Sequence, residues 1–225
     1  MRAMNVLQGS EDWERLRQGV PTASQFHRII TAARGQLSAS WKGYAAELMA
    51  KSLGVFVEPL PSFWMEWGVE NEPYAVAAYE QLNGAKTEVV GFVWPDDHER
   101  YGCSPDRLVG DNGLLEVKCP KPETLIEYHV GGVFPDDYRQ QVQGQLMITG
   151  RDWCDFLAFH PQLAPFQVRV ERDNAYIAKM IVALDEFCEN LAELRSKLQG
   201  IDRAIDVPIT NDYQPKTYQS SEVAL

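Results

Sequence analysis

The period of apolar and polar positions changes several times along the chain, and each change marks an element. After Asp173, apolar residues including Ile177, Ile181, Leu184, Cys188 and Leu191 recur at steps of three or four. That spacing predicts a long amphipathic helix packed on a sheet. The stretch SASWKGYAAELMAKSLG (38–54) opens on serine and closes on Gly54, the punctuation of a second helix. In WMEWGVENEPYAVAAYEQLNG (64–84), Pro73 fits only a first turn or a kink, so helix is expected over the second half. DDYRQQVQGQLMITG (136–150) predicts one more helix.

Five short runs rich in β-branched and aromatic residues are bounded by turn residues: TEVVGFVW, RYGCSPDRLVG, GLLEVKC, DWCDFLAFH and FQVRVER. They predict an α/β (α+β) fold with a central mixed sheet of about five strands flanked by helices. Neither a repeat nor a low-complexity block divides the chain. The expectation is one domain over 1–200, followed by an extended or disordered tail over 201–225, where periodicity is lost.

Composition narrows the class. At 225 residues and 45% hydrophobic content, the chain can bury a sizeable core. No apolar stretch is long enough to span a membrane and the N-terminus lacks a signal-peptide core, so a cytoplasmic protein without a membrane partner is expected. Cys103, Cys119, Cys154 and Cys188 form no C-x-x-C pair, which disfavours zinc or iron-sulfur ligation. The net charge of −11 argues against broad binding to a polyanion, yet residues 1–50 carry a net +2. A local basic surface near the N-terminus remains compatible with that total.

The chemistry concentrates in SPDRLVGDNGLLEVKCP (104–120). Strand alternation puts Glu116 and Lys118 on one face, roughly 6.6 Å apart, with Leu115, Val117 and Cys119 on the other. Asp106 joins Glu116 only if the hairpin loop holds an odd number of residues, for instance Gly110-Asp111-Asn112; an even loop turns it away. Two carboxylates and a lysine gathered in this way suit hard-metal phosphodiester hydrolysis, with Asp106 and Glu116 as oxygen ligands for Mg²⁺. Lys118 then orients or deprotonates the attacking water, or stabilises developing charge. The bland reading of the same residues is a solvated strand face with a Glu-Lys ion pair.

The pattern P-D…E-V-K resembles the PD-(D/E)xK nuclease superfamily. WERLRQGVPTASQF, WGVENEPYA, CSPDRL, LLEVKCP and YRQQVQGQLMITG are together similar, in order, to the lambda-exonuclease and YqaJ-type viral recombination exonucleases of bacteriophages. The resemblance implies a restriction-endonuclease-like core and a Mg²⁺-dependent 5′-to-3′ exonuclease on double-stranded DNA, with Mn²⁺ as substitute. Such an enzyme releases 5′ mononucleotides and leaves 3′ single-stranded overhangs for recombination. It further implies metal binding by Asp106, Glu116, the Val117 carbonyl and Glu72, with Glu70 as the competitor of Glu72. Lys118 is implied as the catalytic lysine, Gln141 as a glutamine beside the attacking water, and Arg17 and Ser24 as holders of the terminal 5′ phosphate. The implied partners are 5′-phosphorylated duplex ends, two further copies in a homotrimeric ring, and a single-strand annealing protein. A same-fold endonuclease and a non-catalytic DNA-end-binding module are the alternatives.

Overall fold

The protein is described here from a computed structural model covering residues 1–55 and 63–198; the expected tail lies outside the described residues. In chain order the strands are β1 (Arg2–Met4), β2 (Thr87–Glu88), β3 (Phe92–Trp94), β4 (Arg107–Val109), β5 (Gly113–Lys118), β6 (Trp153–Ala158) and β7 (Phe166–Glu171). The α-helices are α1 (Glu11–Arg17), α2 (Trp41–Ser52), α3 (Phe63–Asn83), α4 (Pro122–Gly131), α5 (Arg139–Thr149) and α6 (Asn174–Lys197). A 3-10 segment spans Ala23–Arg28.

Five strands form a mixed sheet in the order β2-β4-β5-β6-β7, flanked by helices as expected. The β5–β6 pair is parallel and the other pairs are antiparallel. A parallel pair needs a crossover, and the chain between β5 and β6 supplies one through α4 and α5.

Both faces of β5 are covered. Leu115 and Val117 pack with Ala75, Val76 and Tyr79 of α3, while Leu114 packs with Val142 and Leu146 of α5. A larger core joins Phe26 and Ile29 to α2 and α6. On the α3 side, the Tyr79 hydroxyl donates to Asp155 at 2.7 Å, and Arg169 donates twice to the same buried carboxylate at 2.8 Å. This network fixes the rotation of α3 against β6 and β7, and hence the face that α3 presents two turns earlier.

Several elements differ from expectation. TEVVGFVW divides: its start adds an edge to the main sheet, whereas Phe92–Trp94 pairs with the N-terminal Arg2–Met4 in a separate two-stranded sheet. That partner lies some ninety residues away, out of reach of a local pattern. Helix α3 is helical throughout, with Pro73 inside it. Proline frees the Val69 carbonyl four residues back, and Val69 is exposed, so water can serve it. The buried face of α6 centres on Met180 and Phe187, both fully buried, and Ile181 is 38% exposed. Among the described residues no helix is long and apolar enough to cross a membrane, and the four cysteines are free thiols.

Candidate active site

The turn between β4 and β5 holds three residues, Gly110 to Asn112, the odd number that the register requires. Gly110 has φ +52°, a conformation open to glycine. Arg107 stands opposite Leu115, Leu108 opposite Leu114 and Val109 opposite Gly113. One step further brings Asp106 level with Glu116. The Val117 N–H donates to Asp106 Oδ2 at 2.6 Å, tying this carboxylate to the neighbouring strand.

Glu116 is 1% exposed, which excludes the solvated strand face. A carboxylate buried this deeply needs charge-assisted donors. Lys118 Nζ and Gln141 Nε2 each reach Glu116 Oε1 at 2.5 Å, and Gln145 Nε2 reaches Oε2 at 2.7 Å. Gln141 and Gln145 are one turn apart on α5, so a single helix face supplies both amides. Gln145 was missed by sequence reasoning. The available signal was its i+4 spacing from Gln141, in a polar run that reads as solvent-facing. Gln143, between them, is buried elsewhere and donates to the Glu171 carbonyl at 2.8 Å.

Electrostatics follow from this crowding. Burial and the adjacent Glu116 charge push the Asp106 carboxyl well above the usual carboxylate range, against the pull of Lys118 and the Val117 N–H. Burial also opposes the Lys118 charge, but Glu116 and Asp106 outweigh it and hold the ammonium above the ordinary lysine value. Lys118 is therefore a proton donor in the protein alone. Its Nζ lies 5.1 Å from the Tyr138 ring.

Glu72 sits on α3, near enough to Asp106 to help raise its pKa, and its Oε1 accepts from Arg107 Nη1 at 3.0 Å. Glu70, the competing acid, is exposed. No group of three or more His, Cys, Asp or Glu side chains suited to a metal ion occurs among the described residues. The oxygen donors brought together are the carboxylates of Asp106 and Glu116. That hard-oxygen set suits Mg²⁺, which is held through one or two carboxylates and completes its shell with water and substrate oxygens.

A cleft of about 360 Å³ is lined by Ser24, His27, Asp136, Tyr138, Gln140 and Gln141, among others. It brings Ser24 to the glutamine that touches Glu116. Ser24 shares a hydrogen bond with the Thr22 hydroxyl at 3.3 Å. Arg17 is outside that lining. Its guanidinium stacks on Trp13 at 3.7 Å, and the Trp13 indole donates to the Ser104 hydroxyl at 2.8 Å, two residues before Asp106. Burial lowers the Arg17 pKa, opposed by the Glu14 charge, and Arg17 makes no ion pair among the described residues.

A mixed sheet whose hairpin sets P-D beside E-x-K, backed by a helix of glutamines, defines a nuclease class. The chain belongs to the YqaJ-like viral recombinase domain family, whose model matches residues 12–152. Its fold is similar to that of an alkaline exonuclease (LHK-Exo) from Laribacter hongkongensis, at 35% identity, TM-score 0.77, over 85% of this chain and 97% of that one. The same exonuclease in complex with dAMP matches at 34% identity and the same TM-score, over 85% and 98%. A phage-related exonuclease from Haemophilus somnus 129PT shares the fold at 18% identity and TM-score 0.62, over 82% and 98%. No curated protein matches the chain by sequence. Family and relatives together support a nuclease role.

Proposed function

We propose that the protein is a Mg²⁺-dependent 5′-to-3′ exonuclease on double-stranded DNA, with Mn²⁺ as substitute, releasing 5′ mononucleotides and leaving 3′ overhangs. The observation that carries the proposal is Asp106, just before β4 and held by the Val117 N–H, beside Glu116 of β5, with the Lys118 ammonium 2.5 Å from Glu116. Asp106, Glu116 and the Val117 carbonyl are the proposed ligands; Glu72, paired with Arg107 at 3.0 Å, is the proposed fourth and would join them only by leaving that partner. A bound divalent ion supplies a lowered water pKa and offsets charge on the scissile phosphate.

The chain's own groups do the rest. Gln141 donates through Nε2 to Glu116 and keeps its carbonyl oxygen for the attacking water. Lys118, kept protonated by its neighbours, stabilises negative charge on the reacting phosphate in the transition state. Buried Glu116 cannot swing, because three donors hold its two oxygens. Arg17 and Ser24 are the proposed grip on a terminal 5′ phosphate. A guanidinium with no ion pair among the described residues and a hydroxyl in the cleft lining favour an anion, and phosphorylated duplex ends fit that chemistry. The proposal extends to a homotrimeric ring around DNA and hand-over of the 3′ strand to an annealing protein, which light scattering and pull-down with a candidate partner test.

The decisive experiment is a Mg²⁺ time course on three substrates: linear duplex with a 5′ phosphate, linear duplex with a 5′ hydroxyl, and closed circles. Mononucleotides should accumulate from the phosphorylated linear duplex, and circles should stay intact. Lys118→Ala should reduce release by at least ~10²-fold in a protein that circular dichroism shows still folded, with a lowered melting temperature because buried Glu116 loses its ammonium partner. Nicked circles or an active Lys118→Ala variant would overturn the reading.

A further inference from the structure

A threonine at the start of a helical segment ordinarily caps it, its hydroxyl accepting from a first-turn N–H. Thr22 holds that position before the 3-10 segment Ala23–Arg28 and makes no such bond. The residue is buried, so its hydroxyl must be spent elsewhere. It lies 3.3 Å from the Ser24 hydroxyl, which has no other partner among the described residues. On its other side Thr22 meets the Tyr44 hydroxyl of α2, through both its main-chain N–H and its side chain.

The direction of these bonds follows from counting protons, because each hydroxyl donates once. Thr22 bridges Gly102 in parallel: the Ala23 N–H donates to the Gly102 carbonyl and the Gly102 N–H to the Pro21 carbonyl. That pattern turns the Thr22 N–H away from Gly102 and toward Tyr44 Oη, which accepts it. The Tyr44 proton then goes to Thr22 Oγ1, the Thr22 proton to Ser24 Oγ, and the Ser24 proton is left for the cleft that Ser24 lines. Burial pushes the Tyr44 phenol up to about 12, so it stays a donor at neutral pH. Its ring is held by stacking on Phe187 at 5.9 Å and by the Arg28 guanidinium at 4.5 Å. Hydrogen bonds in such a chain polarise and strengthen one another.

We infer that Tyr44 and Thr22 form a one-way hydroxyl relay that aims the Ser24 proton into the cleft, so that the cleft selects an end group that only accepts, a phosphate, over a 5′ hydroxyl. Both are positioning residues that act through Ser24. The inference rests on the proposed role of Ser24 at the 5′ phosphate, and its test separates the two.

The measurement is kcat/KM on linear duplexes with a 5′ phosphate and with a 5′ hydroxyl, and the readout is their ratio, which a general loss of active protein does not move. Ser24→Ala should lower the ratio by at least ~10-fold, the loss of a hydrogen bond to a charged group. Tyr44→Phe keeps the ring and Thr22→Val keeps the shape; each should lower the ratio by ~3- to 10-fold, about one neutral hydrogen bond. Thr22→Ser should stay within ~2-fold of wild type. In a Ser24→Ala background, Tyr44→Phe should have no further effect on the ratio. If Ser24→Ala lowers the ratio while Thr22→Val or a folded Tyr44→Phe leaves it unchanged, the relay is overturned. A Thr22→Ser variant as poor as Thr22→Val, or an additive loss in the double variant, would overturn it as well. Should Tyr44→Phe fail to fold, the two Thr22 variants decide. An unchanged ratio in Ser24→Ala would instead sink the role of Ser24 at the phosphate.

Discussion

Asp106 is half-buried, bonded at 2.6 Å to the Val117 N–H, and flanked by two other acids. Ionising it in the metal-free protein is unfavourable, and the sign of the consequence follows from proton linkage. The folded chain binds this proton more tightly than the unfolded chain, whose aspartate titrates near ~3.9, so stability falls as pH rises through the raised folded value. Each tenfold difference in proton affinity is worth about 1.4 kcal/mol. In chelator at pH 8, Asp106→Asn should therefore melt higher than wild type by a few degrees, on the order of 2–4 °C for each kcal/mol. Added Mg²⁺ should raise the melting temperature of wild type and leave that of the variant unchanged. Thermal melts across pH 5 to 9 check both statements, and a variant less stable than wild type at pH 8 would contradict them. Sequence alone picked out Asp106, Glu116 and Lys118 as one charged set but left a solvated ion pair open, and only the burial of Glu116 removes that reading. Sequence also left Gln145 hidden, since a polar residue on a helix reads as solvent-facing until a buried carboxylate is found opposite it.

The β4–β5 hairpin converts that residue chemistry into geometry. Its three-residue turn keeps Asp106 on the face of Glu116, and Arg151 braces the turn by donating to the carbonyls of Gly110 at 2.8 Å and Gly113 at 2.7 Å. Deleting Asp111 leaves an even loop, which suits a tight two-residue turn and rotates Asp106 to the opposite face. The deletion should cost at least ~10²-fold in nuclease rate, because an ångström of misplacement already costs that much. Far-UV circular dichroism should remain close to wild type. A deletion variant with wild-type rate would mean that register does not set the site. The odd turn was legible as a condition, because strand alternation is local. The division of TEVVGFVW and the first half of α3 were not. The former depends on a partner at Arg2–Met4, and the latter on packing that tolerates Pro73 within a helix.

For the whole molecule the problem is charge. A chain of net −11 must approach a polyanion, and its cleft even carries Asp136 and Asp137. Broad phosphate contact is thus a poor source of affinity, because each phosphate neutralised by a cation contributes about 0.9 to the slope of log affinity against log salt. A small number of placed groups has to carry binding, and Arg17 is the clearest: burial lowers its pKa, it stacks on Trp13, and it has no ion pair among the described residues. If it grips the terminal phosphate, Arg17→Ala should lower kcat/KM on 5′-phosphorylated duplex by ~10- to 100-fold, the range of about 1.5–3 kcal/mol for a charged hydrogen bond. It should also flatten the salt slope by about one. The 5′-hydroxyl duplex offers no such anion, so its kcat/KM should change by less than ~2-fold, and the preference for phosphorylated ends should vanish. Arg17→Lys keeps the charge but loses the planar two-point fork, and should recover only part of the preference. Equal losses on both substrates would make Arg17 a brace for Trp13 and Ser104, and end recognition would then have to be sought elsewhere along the cleft.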